Sequence, residues 1–227
     1  MSLRITISVL LAFVLLLPTG ARSYWGTYDV GNLASLDFSY RMSRIQMQIA
    51  ERSGSSKPAK ASALRTAERP AAGAAREFAK AYPAAERERA AEVFKTLLQK
   101  YAEIETRFGI THGDIGGALA AFVAGNLMAM RQQPFPDAHF ATLVQQMRGQ
   151  VAANAAFKRI DAAELRRTYE QLAIIGMFMA ATQMALEQQP DTAMQTRTVA
   201  AARSYLGTLI PGDLDRLQVT ATGLSLR

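Results

Sequence analysis

Residues 161–189, DAAELRRTYEQLAIIGMFMAATQMALEQQ, decide how this chain folds. They open on Asp161 and Glu164 at capping-box spacing, the aspartate placed to accept from first-turn N–H groups and the glutamate to reach back. They stop at Pro190, which cannot continue a helix. Between these signals the segment is apolar almost all the way round, and a helix with no wet face must be enclosed by other helices. A membrane span is the rival reading. The apolar run is only about 15 residues, interrupted by Thr182 and Gln183 and flanked by Arg166, Arg167 and Glu187, whereas a bilayer needs ~20. The expected fold class is therefore all-α, an irregular bundle of about five helices around a buried central helix.

The flanking sequence supplies those helices. A short one is expected over 74–81, and Pro83 suits the first turn of a long one over 83–107. Ala90, Phe94, Leu97, Tyr101, Ile104 and Phe108 alternate spacings of four and three, which makes one apolar stripe, and Gly109 fits the position after the last turn. Thr111 or Asp114 can cap the next helix, running to about Met130, with Gly117, Ala121 and Gly125 at four-residue spacing. Interior glycine costs ~1 kcal/mol against alanine, so this row needs a reason, and close approach of another backbone is the simplest. The central helix offers a matching row, Ala173, Gly176 and Ala180, and the two are expected to cross there. After a turn at 131–136, Asp137 starts a helix with Phe140, Leu143, Val144, Met147 and Val151 inward. Asp191 caps a last one to about Leu206. The end, LQVTATGLSL at 217–226, holds β-formers but no second strand to pair with, and is expected to be an extended tail packed on the helices.

The N-terminal third reads differently. Arg4, an apolar run from Ile5 to Leu17 and small residues around Ala21 and Ser23 form the pattern of a secretory leader over 1–23, cut after Ser23 or after Ala21. No cysteine follows the run, which excludes a lipoprotein anchor, and the chain has none anywhere for disulfides. The expected address is periplasmic or secreted, with no stable transmembrane segment after cleavage. Residues 24–52 combine an aromatic stretch, YWGTYDVG at 24–31, with an amphipathic helix in which Phe38, Met42, Ile45 and Ile49 share a face. Residues 53–73 are small, polar and punctuated by Pro and Gly, as a flexible linker is. Residues 41–69 carry seven Arg or Lys against two Glu, a local +5 within a chain of net charge +7. A solvated linker explains such a run, and so does contact with an anionic envelope surface. Nucleic acid is not expected, because no aromatics interleave with the charges and the leader takes the chain away from the genome. Residues 74–227 form the helical domain.

YAEIETRFGI…GDIGGALAAFVAGN (101–126) and DRLQVTATGL (215–224) together resemble an uncharacterised family of exported bacterial proteins known only as a domain of unknown function. The resemblance covers about 78–224 and implies export and an all-helical domain. It carries no activity, ligand or catalytic residue.

Familiar chemistries are missing. The two histidines, His112 and His139, lie in no HExxH, and neither has a second at i+4. GxSxG, the Walker loop and GxGxxG are absent, so no catalytic residue, cofactor or metal is assigned. Four polar residues stand out. His112 and Asp114 in THGD sit at a helix mouth, where a capping turn, an anion or a carboxylate–imidazole pair would fit. Asn126 and Gln183 lie in apolar stretches and must hydrogen-bond each other or backbone, or line a ligand pocket. Met177, Met179 and Met184 beside Phe178 suit core packing or an adaptable apolar surface. The leading functional expectation is an exported, non-enzymatic envelope protein that contacts an unidentified envelope protein or anionic surface through 24–73. The alternative is a carrier holding an apolar ligand between the central helix and 111–130, and behind both stands an unrecognised hydrolase. The residues do not specify an oligomeric state.

Overall fold

A computed structural model describes residues 62–66 and 72–226. The expected leader, the segment 24–52 and most of the expected linker lie outside the described residues.

Six α-helices account for most of the described chain: α1 (Gly73–Ala79), α2 (Arg87–Arg107), α3 (Ile115–Arg131), α4 (Asp137–Ala153), α5 (Ala162–Gln188) and α6 (Thr192–Leu209). Three begin as their sequences dictate. Asp114 accepts from the Gly116 N–H at 2.9 Å, Asp161 from Glu164 at 2.8 Å and Asp191 from Met194 at 2.9 Å. Pro83 precedes a 3-10 turn, Ala84–Glu86, so the long α2 starts at Arg87 rather than at the proline. Gly109 takes φ +62° just beyond α2, a conformation in which glycine carries no Cβ penalty. The AANAAF run breaks α4, whose last helical residue is Ala153.

Helix α5 is buried on all sides from Thr168 to Met184, as its lack of a wet face requires. Around it stand α2 through Phe94 against Phe178 and Tyr101 against Tyr169, with ring centroids 6.1 and 5.8 Å apart, and α1 through Glu170, which accepts from the Ala74 N–H at 2.9 Å. The closest partner is α3. A Cβ built on Gly125 would collide with the Gly176 carbonyl, and one on Gly176 would lie 2.5 Å from the Ala121 oxygen and 2.7 Å from the Phe122 nitrogen. Backbone therefore touches backbone, and only glycine fits at either position. Gly117 does not share this crossing, contrary to expectation. It makes room for Ile110 and the Tyr101 hydroxyl, while Gly116 accommodates Arg148 of α4. Two helices crossing at an angle meet over about two turns, so the far end of a small-residue row meets other neighbours.

One further expectation is corrected. The C-terminal tail pairs with itself: β1 (Leu217–Thr220) and β2 (Gly223–Leu226) form an antiparallel hairpin closed by Ala221 and Thr222. Four-residue strands would not hold alone. Here Gln146 of α4 acts as a substitute strand edge, its Oε1 accepting from the Leu224 N–H and its Nε2 donating to the Leu224 carbonyl, both at 2.7 Å. Arg131 adds a hydrogen bond to the Leu217 carbonyl. Within the expected linker, residues 62–66 dock on the domain: Thr66 N–H donates to Gly113 O and Ile115 N–H to Leu64 O, both at 3.0 Å. Ile115 sits in the first turn of α3, so this contact also satisfies a donor that the helix itself leaves unpaired.

Candidate functional site

Two places gather residues that the packing alone does not account for. The first is an apolar groove of about 300 Å³ between α2, α3, α5 and the start of α4. Its floor is the flank of the close crossing, where Ala121, Ala124, Gly125, Gly176 and Ala180 leave space that larger side chains would fill. Its walls are flexible or aromatic. Met128, Met177 and Met184 stand on one part, and Phe108, Phe135 and Phe140 on another, with Phe108 and Phe140 edge-to-face at 4.8 Å. The rim is charged. Lys100 bonds Glu103 at 2.8 Å, Arg107 bonds Asp137 at 3.0 Å, and Glu187 accepts from Gln183 at 3.3 Å. Among the described residues Glu187 makes no ion pair. Such a site offers an apolar slot with polar groups only at its mouth, in the lower part of the ~300–1,000 Å³ range of ligand pockets.

The second place is a polar cluster under the loop 109–114. The Glu105 carboxylate is fully buried, receives the Tyr169 hydroxyl at 2.9 Å and lies 2.7 Å from His112 Nδ1. Burial pushes its pKa above the usual carboxylate range, against the hydrogen bonds from His112 and Tyr169, which pull it down. The same burial, with the Glu105 charge behind it, raises the hydroxyls of Tyr101 and Tyr169, so both stay protonated at neutral pH. Asp114 is also fully buried, its Oδ1 on the Gly116 N–H and its Oδ2 2.7 Å from Arg148. A carboxylate–imidazole pair thus exists at the helix mouth, but with Glu105 as the acid. Asp114 instead caps α3 and holds Arg148.

The remaining singled-out residues separate. Asn126 donates to its own helix at Phe122 O, 2.8 Å away, and Gln183 pairs with Glu187 and with Gln195, at 3.3 and 3.1 Å, so neither meets the other and neither lines the groove. Met177 and Met184 line the groove while Phe178 and Met179 pack in the core, because seven residues are close to two turns and one residue is not. Glu105 was missed as a carboxylate on a helix with a wet face. Its position one turn past Tyr101, on the apolar stripe, was the available signal. His139 stays apart from this cluster on α4.

Among the described residues no group of three His, Asp or Glu stands close enough to hold a metal ion, and no helix is long and apolar enough to cross a membrane. No curated protein and no solved structure matches the chain. Residues 18–227 match the family of unknown function DUF6683, and the chain belongs to that family.

Proposed function

We propose that this chain is an exported, non-enzymatic binding protein of the cell envelope that holds the apolar part of a ligand, an acyl chain or one of similar shape, in the groove between α3 and α5. The observation that carries the reading is the groove itself: small residues on the floor, methionine and phenylalanine on the walls, and charge confined to the rim. The unbranched thioethers of Met128, Met177 and Met184 adapt to an irregular apolar surface at little cost. The leader pattern over 1–23 supports a periplasmic or secreted address. Residues alone rank contact through 24–73 first and carriage second, and the groove favours the reverse order.

The test uses residues 24–227 and a fluorescent long-chain fatty acid. Saturable one-site binding is expected. Met128→Glu should weaken it by at least tenfold, since Met128 is partly exposed on the groove wall and a carboxylate there need not unfold the helix. Equal binding by Met128→Glu, or none by any variant, refutes the proposal.

A further inference from the structure

The proposed groove has a candidate occupant within the chain. We propose that residues 35–52 seat their apolar face in it in the absence of ligand, so that any external ligand must displace them. This rests on the binding role proposed for the groove and adds its regulation.

Three observations converge. The first is reach. Leu64 and Thr66 are fixed by backbone hydrogen bonds at the start of α3. From Ile115 to Met128 that helix advances ~20 Å, whereas the ten residues from Arg52 to Ser62 can span up to ~33–36 Å. The tether therefore delivers the segment to the groove with slack.

The second is shape. Phe38, Met42, Ile45 and Ile49 recur at helical spacing over ~16 Å, and the wall from Gly176 to Glu187 is also ~16 Å long. A floor of glycine and alanine accepts large knobs from an amphipathic helix, the recurring helix-in-groove arrangement.

The third is charge. At ~100° per residue Arg41 and Arg52 border the apolar stripe on one side with Arg44 beyond them. Glu103 and Asp137 on the groove's rim are paired with Lys100 and Arg107, whereas Glu187 makes no ion pair among the described residues. An arginine on the segment's flank would supply Glu187 with a cation.

The chain has no cysteine, so Ser43→Cys gives a single site for a nitroxide on the polar side of the segment. With methionine methyls isotopically labelled in the 24–227 protein, the nitroxide should broaden the Met128 and Met184 signals, and Ile45→Glu should abolish that broadening. Removing one buried Ile contact should also make Ile45→Glu bind the fluorescent fatty acid roughly tenfold more tightly than wild type, because less of the groove is occupied. Absence of broadening, with fatty acid bound equally by both proteins, overturns the seating and leaves the proposed function intact. Failure of both proteins to bind fatty acid removes the proposed function, and the broadening alone then decides the seating. Broadening between a spin-labelled copy and a separately methyl-labelled copy overturns the intramolecular occupant and makes a second chain the partner.

Discussion

Replacing Gly176 with alanine should destabilise this domain, although the same change elsewhere in a helix stabilises. Alanine is favoured over glycine by ~1 kcal/mol in a helix interior. At Gly176 the added Cβ would stand 2.5 Å from the Ala121 oxygen, 2.6 Å from its carbonyl carbon and 2.7 Å from the Phe122 nitrogen. All three are backbone atoms of α3, so no side chain can rotate away, and relief requires the two helices to separate by nearly an ångström. Overpacking of this kind costs ~1–3 kcal/mol, and separation loosens the whole α3–α5 contact. Set against the propensity gain, the clash leaves a net loss of up to about 2 kcal/mol, or up to ~8 °C in melting temperature for a domain of this size. Gly149 and Gly207 are the controls, since both lie in helices with nothing within 4 Å of an added Cβ. Thermal unfolding followed by circular dichroism should show Gly149→Ala and Gly207→Ala at or above wild type and Gly176→Ala below it. A Gly176→Ala protein that melts with the controls would refute the backbone contact.

Arg148→Met should cost ~3–5 kcal/mol in urea unfolding, because it leaves the fully buried Asp114 carboxyl without its partner. Adding Asp114→Asn to that variant should recover part of the loss. Gln146→Ala should cost ~1–2 kcal/mol and release the Leu224 amide to hydrogen exchange, while amides in the middle of α5 stay protected. Glu105→Gln should flatten part of the pH dependence of stability. Burial raises the folded-state pKa of Glu105 above its unfolded value of ~4.3, so its contribution is fully present below that value and is lost as pH rises through the folded one. Urea midpoints at pH 4 and pH 7 should therefore show wild type losing ground to the glutamine variant as pH rises. A constant difference between the two would exclude the titration.

The fold was legible where one residue type has one physical use. Asp161 and Asp191 cap the helices they were expected to cap, and the inward set Phe140, Leu143, Val144, Met147 and Val151 is buried as its spacing requires. The crossing was legible because Gly125 and Gly176 each cost a helix stability that only close approach explains. Legibility ended where the partner is distant in sequence. Glu105 takes the Tyr169 hydroxyl from 64 residues away, and the hairpin takes its edge from Gln146, 78 residues away from Leu224. The hairpin's loop, Ala221–Thr222 before Gly223 at φ +112°, lacks the Asn-Gly signature of a two-residue turn, and only the last glycine hinted at it.

The groove follows from the crossing rather than standing beside it. Ala121, Gly125 and Gly176 make the α3–α5 contact, and all three also border the groove, with Ala180 one turn further on. Helices that touch backbone to backbone have no side chains at the contact to fill the wedge on its flank. What fills that wedge must come from other elements. Here Phe108, Phe135 and Phe140 stand back as walls, leaving the space between them open. Ala124 and Ala180 line the groove, and a larger residue at either would narrow the wedge. A Cβ at Gly125 or Gly176 would strike the opposing backbone, so those two positions answer to the crossing, while Ala180→Leu tests the proposed binding role by reducing fatty-acid affinity.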